Sequence, residues 1–165
     1  VSVLNMLYKV LIKILKVIAI TTIAAMVIVV FYSVISRFIL NTSIAWAEEI
    51  SRFLMAWMTL TGSIVAYEEN KHMSFDSLVK SMPPVFYYAI TLFGYALVFC
   101  LLINMTKGGY IYARNQWNWT SPATHAPYGL VYSIAPISMS IMALQSAIKF
   151  ISTSVESVKH FRKAR

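Results

Sequence analysis

The chain has 165 residues, of which 59% are hydrophobic and 12% charged, and its mean hydropathy is +0.68. A soluble domain carries about 25% charged residues, so much of this chain must face lipid or other buried helices. The net charge of +8 would suit nucleic acid if it formed one patch, but the cations cluster at the chain ends and in short loops, as in membrane proteins.

Lys9, Lys13 and Lys16 fall on one helical face beside Val10, Leu11, Ile14 and Leu15. This predicts a lead-in helix lying in the headgroups, with its lysines reaching out to water. No charge appears from Val17 to Ser36, and the first span is predicted at about 17–39, closed by Arg37. It is long enough to cross a bilayer and no small-residue cleavage site follows, so it is read as a span and not as a cleaved leader. Asn41-Thr42-Ser43 is expected to form the turn and to cap the next helix.

The second span is predicted at about 46–67. Its uncharged portion, Phe53 to Tyr67, covers only ~22 Å, so Glu49 and Arg52 belong at the membrane boundary. There Glu48 at i,i+4 and Glu49 at i,i+3 are expected to pair with Arg52. Small and polar residues recur along one stripe of this helix, which makes Thr59, Gly62 and Ala66 candidates for close packing inside the bundle. Trp46, Phe53 and Trp57 form the bulky opposite face, the candidate surface for lipid or another membrane subunit.

In the following connection Phe75, Leu78, Val79 and Met82 recur at helical spacing after Ser74. They predict a short amphipathic helix on the cytoplasmic surface, with His72 and Asp76 beside it, ended by Pro83-Pro84. The third span is predicted at about 85–106, with its helix free to continue toward Arg114. The loop that follows carries Trp117 and Trp119, residues favoured at a membrane interface. The last span, about 128–151, contains Pro136, an expected kink.

Together these elements predict an all-α integral membrane protein, one domain over residues 1–165 with four transmembrane helices. Placing both termini in the cytoplasm puts ten of the 14 cations inside, leaving Arg37, Arg52, Lys107 and Arg114 outside.

The chemistry of the polar residues is sparse. His72 belongs to the inner connection with Glu68 and Glu69, His125 to the outer loop and His160 to the tail. No metal cluster or nucleophile–base pair is expected on one membrane face, and neither catalysis nor a cofactor is predicted. The lone Cys100 allows no intrachain disulfide and is read as a small packing group. Glu48, Glu49 and Arg52 admit two readings: part of a substrate or proton path, or an ion-paired helix end that fixes tilt and docking. The second is favoured because the span centres carry no charge. A self-contained carrier places its site near the midplane, and a small four-helix carrier acting as a homodimer is kept as the alternative function.

The order of Trp46-Ala47-Glu48-Glu49-Ile50-Ser51-Arg52, Trp57, Gly62-Ser63, Ala66, Lys71-His72-Met73-Ser74-Phe75-Asp76 and Pro83 resembles a known pattern. It is that of the small membrane (Q, DctQ-like) subunit of tripartite ATP-independent periplasmic (TRAP) transporters. Pro122, Pro127 and Pro136 extend the likeness over most of the chain, whereas Tyr67 to Lys71 is more acidic than the family's version. The resemblance implies a non-catalytic, multi-pass protein of the bacterial inner membrane. It would scaffold a large M subunit, expected as a separate polypeptide, and help dock a periplasmic binding protein for sodium-coupled uptake of an organic acid such as a dicarboxylate or sialic acid. In that setting Arg114, Trp117 and Trp119 are the candidate docking residues on the periplasmic side.

Overall fold

Long apolar runs separated by short polar turns leave the backbone little choice in lipid, because a helix satisfies its own amides and carbonyls. The computed structural model, which describes residues 2–39, 41–42, 44–69 and 84–163, is accordingly all-helical. Its elements are α1 (Ser2–Ile39), α2 (Ala45–Glu68), α3 (Pro84–Asn115), α4 (Tyr128–Tyr132) and α5 (Ile134–Lys163). Among the described residues the one strand-like pairing is an isolated bridge between Thr120 and Pro127.

Three stretches are long and apolar enough to cross a membrane: Tyr8–Ile39, Val85–Asn115 and Tyr128–Lys159. The 24 residues of α2 reach ~36 Å, also a bilayer's width, but Glu48, Glu49, Arg52 and Glu68 dilute its apolar character. The amphipathic helix expected after α2, with His72 and Asp76, lies outside the described residues.

Several boundaries differ from the sequence expectation. The lysine-bearing lead-in is continuous with the first span, and α1 runs unbroken from Ser2 to Ile39 because nothing in it breaks the hydrogen-bond ladder. The turn after α1 uses Asn41 in the left-handed region (φ 51°), a conformation asparagine tolerates. Thr42 closes this turn, its hydroxyl lying 3.2 Å from that of Ser36. It therefore finishes α1, and α2 starts at an N-cap Ile44 with no side-chain cap. The third helix continues past residue 106 to Asn115, and the last continues past 151 to Lys163.

Pro136 acts where a kink was expected, and the regular helix is interrupted at Ser133, between α4 and α5. Proline lacks the amide that would bond the Tyr132 carbonyl one turn earlier, and its ring crowds that carbonyl.

The helices pack in the order α1, α2, α5, α3: α1 rests on α2, α2 on α5, and α5 on α3. The reason is visible in the buried positions. On α1 these are Leu15, Ala19, Thr22 and Ser36, a narrow stripe that serves a single neighbour. Val27, Ile28, Phe31 and Phe38 stand exposed around it. On α2, Ala47, Thr61, Ile64 and Tyr67 are buried. Gly129 fixes the junction of α3 and α4, since a Cβ there would stand 2.7 Å from the Trp117 Cα and 2.8 Å from the Ala113 carbonyl oxygen.

Candidate functional site

The two ends of α2 carry the polar chemistry of the protein. At the Ala45 end, the expected pairing of Glu48 and Glu49 with Arg52 is replaced by two other arrangements. Glu48 pairs with Arg37 of α1 at 2.5 Å, while Arg52 is exposed and reaches only the Glu48 backbone carbonyl, 3.4 Å from its Nε. The short turn places Arg37 opposite the first turn of α2, so the guanidinium meets Glu48 across the hairpin. The sequence alone assigns Arg37 only to the helix end, because its partner depends on how α2 sits against α1.

Glu49 points the other way, toward the loop between α3 and α4. Its carboxylate accepts hydrogen bonds from the Ser121 hydroxyl, the Ala123 amide (3.2 Å), the Thr124 amide (3.1 Å) and the Thr124 hydroxyl (3.2 Å). Ser121 is fully buried beneath it. Successive amides in a tight turn form a cradle for an anion, and bonds to an ionised acceptor are the stronger kind. The loop is shaped for this: the Ser121 amide bonds the Ala126 carbonyl at 2.9 Å, and His125 takes a left-handed φ of 53°. Ser-Pro-Ala-Thr is a visible turn signal at 121–124, but nothing in the sequence links it to a carboxylate 72 positions earlier.

At the Glu68 end, α1, α2 and α5 converge. The Tyr8 hydroxyl donates to Glu68, Lys16 pairs with Glu69 at 2.6 Å, and the Lys149 ammonium donates to the Tyr67 carbonyl while standing 4.6 Å above the Tyr67 ring. Gln145, 1% exposed, directs its amide at the Ile64 carbonyl, 3.4 Å away. Gln145 and Lys149 lie one turn apart in a span with no other charge or amide side chain, and that placement was a signal for an interhelical polar seam.

The faces of α2 meet different neighbours. Trp46 lies against Tyr32 of α1 with ring centroids 5.9 Å apart, and remains 42% exposed. Phe53 meets Tyr128 edge to face at 6.0 Å, and the Trp57 indole donates to the Val131 carbonyl at 3.1 Å. Phe53 and Trp57 therefore pack on this protein's own α4. Thr59 is exposed, and a Cβ on Gly62 would meet nothing within 4 Å; Gly62 and Ala66 line an open groove beside Lys16 and Ala19. Phe53 and Trp57 are half-buried, held by the Tyr128 ring and the Val131 carbonyl.

Arg114, Trp117 and Trp119 are exposed at the same end of the molecule as Glu49. No group of three or more metal-ligating side chains occurs among the described residues.

Residues 26–155, from α1 well into α5, match the family model of the DctQ component of tripartite ATP-independent periplasmic transporters. A Haemophilus influenzae protein named as a TRAP transporter small permease is 34% identical over 144 residues, covering 86% of this chain and 88% of that protein. The C4-dicarboxylate TRAP transporter small permease DctQ of Vibrio cholerae is 30% identical over 100 residues, 59% of this chain and 39% of the relative. The sialic acid TRAP transporter small permease SiaQ of Vibrio cholerae is 29% identical over 80 residues, 48% of this chain and 46% of the relative.

Proposed function

Because the chain belongs to the DctQ family of TRAP transporter small permease subunits, multi-pass non-catalytic proteins of the inner membrane, we propose that it is the static scaffold of a three-part uptake system. In this reading it holds a large membrane subunit in the bilayer and offers a docking surface to a periplasmic binding protein. The large subunit carries an organic acid together with sodium. The family match over residues 26–155 is the observation that carries the reading.

The way the polar groups are used supports it. Glu48, Glu49 and Glu69 are engaged with Arg37, the 121–124 loop and Lys16, so the helix ends serve to lock elements together. The exposed apolar sides of α1 supply a surface for a membrane partner, and the loop bearing Trp119 supplies one for a soluble partner.

We further propose that α2 is the fourth span and that both termini are cytoplasmic. Binding the Glu49 carboxylate to loop amides lowers the cost of placing it at the boundary, and the charge asymmetry of the sequence favours this orientation.

Co-expression with a candidate large subunit tests the function. The two chains should copurify, and uptake into proteoliposomes should require both membrane subunits and the binding protein. Uptake of solute by this chain alone would refute the reading.

A further inference from the structure

Between α3 and α5, at the Arg114 end, lies a cleft of about 630 Å³ lined by Lys107, Tyr110, Arg114, Trp117, Pro136 and Ile137. Gly109 touches Pro136 beside it, where a Cβ would stand only 3.3 Å from the proline ring, so the two helices approach closely at this edge of the cleft. The walls are mostly apolar and face outward, with Tyr110 60% and Ile137 53% exposed.

The cleft also has a charge of one sign. Lys107 and Arg114 are seven residues apart, two turns along one face of α3. No Asp or Glu lines the cleft, and among the described residues the ion pairs are Lys16–Glu69 and Arg37–Glu48, neither of which involves these two cations. The aliphatic hydroxyls are occupied: those of Thr106, Ser133 and Ser140 donate to the carbonyls of Leu102, Leu130 and Pro136. Along the axis Lys107 and Arg114 stand ~10 Å apart, and a lysine stem can extend toward the helix end so that both heads reach one level.

An apolar cleft in membrane-embedded helices, with two uncompensated cations at its mouth, matches an amphiphile with an anionic head. We propose that it binds one anionic phospholipid, the phosphate received by Arg114 and Lys107 and an acyl chain lying against Tyr110, Pro136 and Ile137. The planar guanidinium offers two parallel donors to phosphate oxygens, and basic pockets between spanning helices hold lipid headgroups in this way. A lipid brings its own phosphate to the membrane boundary, whereas a carboxylate on a partner helix has to be placed there at a cost. The proposal needs only that α3 and α5 lie in the bilayer, and it holds for either orientation and whether or not the chain scaffolds a transporter.

Native mass spectrometry of the full chain, released from detergent with added phosphatidylglycerol or phosphatidylcholine, tests it. The wild type should retain one phosphatidylglycerol and lose phosphatidylcholine. Lys107→Gln with Arg114→Gln should weaken phosphatidylglycerol retention about thirtyfold, from roughly fivefold per cation. Ile137→Trp, which fills the cleft and keeps both charges, should also weaken it. Lys9→Gln with Lys13→Gln, an equal charge loss elsewhere, should not. Equal retention of the two lipids by the wild type would overturn the proposal. So would full phosphatidylglycerol retention by the double glutamine variant, including the case in which that variant instead loses a copurifying large subunit and thereby marks a protein interface.

Discussion

Glu49 joins α2 to the α3–α4 loop through two hydroxyls and two backbone amides, so its charge organises a turn far away in sequence. Replacing it by glutamine leaves the shape but turns one acceptor oxygen into a donor facing other donors. Glu49→Gln should therefore speed hydrogen exchange at the Ala123 and Thr124 amides, read by mass spectrometry, while exchange at Leu144 in α5 stays unchanged. Equal exchange at the loop would show that the carboxylate does not hold it. The glycines give a second contrast. Gly129→Ala drives a methyl into the Trp117 backbone and should cost about 2–3 kcal/mol in thermal or denaturant unfolding. Gly62→Ala meets open space within a helix and should be neutral or stabilising by up to about 1 kcal/mol.

Among the elements, α2 is the one whose faces decide the assembly. Its indole at Trp57 bonds the Val131 carbonyl in α4, so Trp57→Phe should lower the stability of the isolated chain by about 1 kcal/mol. A residue that served only an external partner would leave the isolated chain as stable as before, and that result would return Trp57 to the outer surface. Lys16 and Glu69 act similarly between α1 and α2, but they are partly exposed, and solvent screens their attraction. The interruption at Ser133 has its own place in the structure: Ser133 and Pro136 both line the cleft that Lys107 and Arg114 share.

For the molecule as a whole, a row of helices with α1 at one edge exposes more apolar surface than a closed bundle would. That surface fits lipid and a large membrane partner better than an enclosed transport path. Its orientation can be read directly. In a Cys100→Ala background, Trp119→Cys should react with an impermeant maleimide from outside intact spheroplasts, and Lys159→Cys only after permeabilisation. The reverse pattern would place both termini in the periplasm.

The sequence by itself determined the helices, the kink-forming proline and the family. Uninterrupted apolar runs, Pro136 and the Trp46-to-Asp76 order are local features, written in consecutive residues. It also marked Glu48, Glu49 and Arg52 as the charged end of α2, because the uncharged stretch that follows is short. Only the tertiary structure decided which charge meets which. Spacing within α2 favoured Glu48 with Arg52, yet Arg37 across the hairpin and the amides of Ala123 and Thr124 took the two carboxylates. The same holds for Phe53 and Trp57, whose partners Tyr128 and Val131 lie more than 70 positions along the chain in α4. A helical wheel shows that two faces differ; it cannot show which face a neighbour can fill, because that depends on the shape and spacing of helices far along the chain.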